Sequence, residues 1–111
     1  MSMPSPDIVI VLTTAPDDER ADAWARALVD ERLAACVNVH GPMVSFYRWK
    51  GMVEREPERQ VVIKTTRERV AALRERLREL HPYELPEFVV LTVADGSDEY
   101  LKWVMEQTRP H

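Results

Sequence analysis

Two short segments hold most of the residues with chemical potential. In 81-HPYELPE-87, an imidazole (His81), a phenol (Tyr83) and two carboxylates (Glu84, Glu87) lie between and beside Pro82 and Pro86. Imidazole with carboxylate can hold Cu(II) or Zn(II), so His81, Glu84 and Glu87 are candidate metal ligands. His81 also ends a helical stretch, and a helix cap with a structural turn accounts for the same residues. In 45-SFYRWKG-51, Tyr47 and Trp49 fall on one side of a strand that runs into a turn at Lys50-Gly51. Aromatics there suit an interface anchor, or a stacking wall for a small ligand in an inter-subunit cleft.

Outside these segments, Cys36 is the only thiol. It reads either as a soft ligand for Cu(I) or as a small buried hydrophobe. Lys64 stands at a strand end before a helix, where it could attract an anion or pair with Glu58 on the same strand. His40 reads as a surface residue, and His111 is terminal. No His-x-x-x-His or Cys-x-x-Cys spacing occurs. With three glycines there is no phosphate-cradling loop, and no nucleophile elbow appears, so the residues give no case for an enzyme.

The elements that must position these residues follow from periodicity. At 111 residues the chain is read as one domain, residues 7–106, with tails at 1–6 and 107–111. Strands are expected at 7–14, at 35–49 interrupted by Gly41-Pro42, at 52–65, and at 88–93 as a buried strand. Pro16 with Asp17, Asp18 and Glu19 predicts a helix start, and the apolar spacing carries that helix to about Leu33. Thr65 and Glu68 fit a capping box for a second helix ending near Leu80, and Ser97 caps a third. The order β-α-β-β-α-β-α is the split βαβ, ferredoxin-like arrangement of the α+β class. Right-handed crossovers put both long helices on one face of the sheet.

The hairpin between the second and third strands is long. Each arm is about 14 residues where five or six are usual. A projecting ribbon with bare edges needs cover, and other copies of the chain supply it most simply. Charge narrows the partners. Nineteen acidic residues outnumber fifteen basic ones for a net −4, and the arginines of 67–79 are interleaved with glutamates. That pattern argues against nucleic acid and against a membrane surface. The longest apolar run, 8-IVIVL-12, is far below a spanning length, and 1–6 lacks the features of a signal peptide. A single cysteine agrees with the cytoplasm as the expected compartment.

Several separated motifs resemble the CutA family, the divalent-cation tolerance proteins. They are 31-ERLAACVN-38; Ser45, Tyr47, Trp49 and Gly51; Glu58 before 63-IKT-65; 81-HPY-83 with Glu84, Pro86 and Glu87; and 100-YLKW-103. The resemblance spans about residues 7 to 106. It implies a ferredoxin-like subunit with an extended hairpin in a tight homotrimer, similar in architecture to the PII signalling proteins. It also implies copper, or another divalent cation, as ligand.

Overall fold

The computed structural model describes residues 7–110. The tail assigned to 1–6 and the terminal His111 lie outside these residues. Ile8–Pro16 forms β1, Arg20–Asp30 α1, Cys36–Trp49 β2, Met52–Thr66 β3, Val70–Leu80 α2, Val89–Thr92 β4 and Asp98–Gln107 α3. The sheet order is β2-β3-β1-β4, and every pairing is antiparallel. This is the expected α+β, ferredoxin-like architecture.

Alternation on β1 and β3 sorts the layers. Val9, Val11, Val61 and Ile63 point to one face, where they meet Trp24 and Leu28 of α1 and Leu73 and Leu77 of α2 in one core. On the opposite face only α3 packs, with Leu101 and Val104 against Ile8 and Ala35. The rest of that face is open, and Ile10, Leu12 and Val62 on it are only half-buried. Within the helix-side core, the Thr13 hydroxyl is buried without a hydrogen-bond partner among the described residues. An unsatisfied buried hydroxyl costs about 1–3 kcal/mol. Thr13→Val keeps the shape and removes that group, so it is expected to raise unfolding stability by about 1 kcal/mol in urea titrations. A loss of stability instead would mean that the hydroxyl is satisfied.

Several local expectations are corrected. Pro16 does not open a helix: β1 continues through it opposite Glu58. Its missing N–H is harmless because β4 pairs only as far as Leu12. Asp17–Glu19 then form a turn in which the Asp18 carboxylate accepts the Arg20 N–H at 2.9 Å. The first helix ends at Asp30, and Arg32 takes φ 60, left-handed. Leu33 is buried beyond the helix end, with its N–H donating to the Leu28 carbonyl.

Thr65 makes no capping box. It stays in β3, and its hydroxyl donates to the Leu33 carbonyl at 2.8 Å, a tertiary tie that competes with capping. Glu68 falls in a short 3-10 turn at Arg67–Arg69. The β4 segment is an edge strand, not a buried one, and leaves Val89 and Leu91 each 45% exposed. Ser97 does cap α3, accepting the Tyr100 N–H at 3.2 Å. That helix runs to Gln107, and Thr108 is buried against it.

The hairpin is as long as the sequence implies, with arms of 14 and 15 residues. Its two-residue loop, Lys50-Gly51, has positive φ at both positions (49° and 81°), as a type I′ turn requires. Gly41-Pro42 interrupts the pairing with a bulge between His40 and Met43. At Gly41 the φ of 132° favours glycine, and a Cβ there would sit 2.9 Å from Arg59 Cγ. Because β1 pairs no further than Glu58, residues 52–57 of β3 and their β2 partners project as a two-stranded ribbon. Pro57 therefore lies where its missing donor has no second neighbour. The molecule is elongated accordingly, 55 × 26 × 23 Å. Among the described residues no helix is long and apolar enough to cross a membrane.

Candidate functional site

α2 ends at Leu80 because His81 precedes Pro82 and adopts an extended conformation (ψ 131°). The chain then wraps the end of the sheet towards β4. His81 is buried between Trp24, at 4.9 Å between ring centroids, and Tyr83, at 4.5 Å. Its Nε2 lies 2.8 Å from the Thr14 carbonyl, which can only accept, so Nε2 carries the proton. Its Nδ1 accepts the Tyr83 N–H at 3.3 Å. Both ring nitrogens of a neutral imidazole are thus occupied, and the side chain pins the 81–87 segment to β1.

Burial, the largest influence, pushes the His81 pKa below the ordinary imidazole value, and Arg20 pushes the same way; the Thr14 hydrogen bond and Glu58 oppose them. The folded protein therefore binds fewer protons at this site than the unfolded chain. The associated stability is full above the unfolded imidazole pKa of about 6.5 and is lost as pH falls from there towards the lower folded value. A protonated Nδ1 would also face the Tyr83 N–H, donor against donor. Unfolding midpoints are expected to drop between pH 7.5 and 5.5, and the drop should shrink in His81→Gln. Equal drops in the two proteins would remove His81 as the cause.

Beyond this pin, the Tyr83 phenol lies near Glu58, a residue only 5% exposed. Burial first, and Glu58 second, raise the Tyr83 pKa far above the ordinary phenol value. Gln60, two residues along the same strand face, donates through its amide to the Thr13 carbonyl at 2.7 Å and to the Glu87 carboxylate at 2.9 Å. The β2 arm of the hairpin faces this group across a cleft of about 540 Å³. Met43, Ser45, Phe46, Tyr47 and Trp49 line its hairpin side, while Tyr83, Glu84, Leu85 and Glu87 line its loop side. Glu58, Gln60 and Thr14 form the floor. The two segments that stand out in the sequence thus meet at one cleft.

The four candidate metal ligands do not meet. Glu84 and Glu87 reach the cleft, but both nitrogens of His81 are engaged behind it. Cys36 starts β2 opposite Lys64, whose other neighbour is Ile10; Thr14, the partner of His81, is four residues along β1, roughly 13 Å away at about 3.3 Å per residue. The Cys36 thiol approaches Asn38 Oδ1 at 3.8 Å. Among the described residues no three His, Cys, Asp or Glu side chains gather as a metal site. Lys64 does not pair with Glu58; its Nζ donates to Asn38 Oδ1 at 2.8 Å. His40 is exposed beside the bulge.

Sequence reading missed Trp24 as a site-positioning residue, Gln60 as a bridge and the Thr14 carbonyl as an acceptor. Gln60 was within reach of strand alternation, because it shares a face with Glu58. The Thr14 link is a backbone contact between distant elements and leaves no sequence signal.

Residues 9–107 match the family described as CutA1 divalent ion tolerance protein. The chain is 48% identical over 99 residues to a divalent-cation tolerance protein CutA of Thermus thermophilus, covering 89% of this chain and 96% of that one. A solved structure of the Thermus thermophilus divalent cation tolerance protein superposes with a TM-score of 0.89 at 46% identity, over 92% of this chain and 99% of that one. The structure of CutA1 from Oryza sativa gives a TM-score of 0.91 at 33% identity, over 95% and 96% of the two chains.

Proposed function

The chain belongs to the CutA1 divalent ion tolerance family, and on that premise we propose that it acts as a cytoplasmic homotrimer that binds divalent cations, copper foremost, at its inter-subunit clefts. The observation that carries the cation reading is the cleft itself: Glu58, Glu84 and Glu87 line it, and no lysine or arginine does. The trimer reading is supported by the projecting ribbon, the unpaired outer edges of β2 and β4, and the half-open sheet face.

Copper prefers imidazole and thiolate, and one chain does not fit it: His81 is engaged on both nitrogens and Cys36 is remote. A copper site therefore needs donors from a second chain, which makes assembly a condition of binding. The relatives carry tolerance-protein names rather than enzyme names, and no catalytic step is assigned.

Native mass spectrometry of the metal-stripped protein, with and without a small excess of Cu(II) or Cu(I), tests this directly. A trimer taking up metal saturably, and losing it in the Glu84→Gln, Glu87→Gln double variant, is expected. A monomer, or a trimer with only a smear of adducts, overturns it.

A second reading is a PII-like signalling or scaffold trimer that answers a small organic ligand. The size of the cleft and its aromatic walls favour it, because a site of about 300–1,000 Å³ suits a small molecule better than a bare ion.

A further inference from the structure

We propose that the cleft between the β2 arm of the hairpin and the 83–87 segment recognises a small organic cation, an ammonium or guanidinium head on an aliphatic tail. This rests on the second reading above, that the cleft is an organic-ligand site, and it names the chemistry of that ligand.

Three observations point the same way. The first is charge. Glu58 is almost fully buried at the floor, Glu84 and Glu87 stand exposed at the rim, and no basic side chain is among the lining residues. An anion entering here would meet carboxylates and no counter-charge from the lining side chains. The field reaches the tyrosine hydroxyls: burial raises both pKa values most, and neighbouring glutamates, Glu56, Glu54 and Glu58 at Tyr47 and Glu58 at Tyr83, raise them further.

The second observation is the aromatic surface. Tyr47, Trp49 and Tyr83 line the cleft, and rings present a negative face to cations. Rings on this ribbon already attract cations. Lys50 Nζ lies 5.7 Å from the Trp49 ring centroid, and the Arg55 guanidinium lies 5.9 Å from that of Phe46. Lys50 sits at the exposed turn and can withdraw into water when another cation takes its place.

The third is size and apolar lining. About 540 Å³ holds far more than one ion, and Met43 and Leu85 offer contact for a hydrocarbon tail. A strongly hydrated metal dication has no use for aromatic walls. A weakly hydrated organic cation gains from the walls and the carboxylates together.

Calorimetric titration of the full chain with four probes that share a butyl tail separates the possibilities: butylammonium, butylguanidinium, butyrate and 1-butanol. The two cations are expected to bind and the other two not. Affinity should fall about 5-fold in Tyr47→Leu, for loss of a ring contact worth about 1 kcal/mol. It should also fall in Glu84→Gln and rise in Lys50→Gln, with mass and melting temperature unchanged in all three variants. If butyrate or butanol binds as well as the cations and Tyr47→Leu weakens it, the cleft is a ligand site and the cation assignment is wrong. If no probe binds, or binding ignores all three variants, the assignment and the organic-ligand reading fail together.

Discussion

Trp24→Ala is expected to lose about 3–5 kcal/mol of stability and, with it, the order of the cleft. The indole is only 6% exposed and belongs to the core formed by β1, β3, α1 and α2. Truncating a buried tryptophan typically costs about 3–5 kcal/mol, the loss of apolar burial plus the cavity left behind. Against a total of about 5–15 kcal/mol for a single domain, that is a large share.

The position matters beyond the core. Trp24 packs against His81 with tilted rings, His81 ties Thr14 to Tyr83, and Tyr83 lies near Glu58. Without the indole, His81 loses one wall of its slot and gains access to water. Its pKa should then return towards the ordinary value, so the acid sensitivity expected for the parent protein should diminish. Urea titrations at fixed protein concentration, at pH 7.5 and 5.5, read both effects. Trp24→Phe keeps an aromatic neighbour for His81 and should be milder. A loss under about 1 kcal/mol in Trp24→Ala would show that the helix-side core does not depend on this ring.

How much of this was legible in the sequence depends on the range of the interaction. β1, β3 and the two long helices announce themselves, because 8-IVIVL-12 and 61-VVI-63 are unbroken β-branched and apolar runs and Leu73 and Leu77 fall at helical spacing. The hairpin loop is equally local, since Gly51 permits the second positive φ of a type I′ turn. The misreadings involve residues whose partners lie far along the chain. Thr65 looks like a cap until its hydroxyl is seen on Leu33. Residues 88–93 look like a buried strand until the sheet order puts β4 at an edge that α3 does not fully cover.

The site follows the same rule. Glu84 and Glu87 reach the cleft that their polarity suggests. His81, chosen for its imidazole, turns out to spend both nitrogens on backbone groups that composition cannot reveal. Cys36 and His81 are singled out for their chemistry alone, and the register separates them.

Phe46→Glu is expected to break the proposed trimer while leaving the subunit folded. Phe46 is 68% exposed and Val53 65% exposed, and both stand on the projecting ribbon, beyond the reach of β1. Pairing sets Phe46 opposite Arg55 and Arg48 opposite Val53, so one side of the ribbon is apolar and basic. Ser45 and Tyr47 pair with Glu56 and Glu54 on the other side, which is acidic. A ribbon with unlike sides suits head-to-tail contact between copies, each presenting its basic side to another's acidic side, which closes into a ring rather than a simple pair. A carboxylate at position 46 would be buried beside no new cation except Arg55, at a cost of about 3 kcal/mol per contact, or roughly 100-fold in association. Since nothing in the subunit core touches Phe46, far-ultraviolet circular dichroism should be unchanged while native mass falls from trimer to monomer. Retention of trimer mass and of the melting temperature in Phe46→Glu would place the subunit contact elsewhere than on the ribbon.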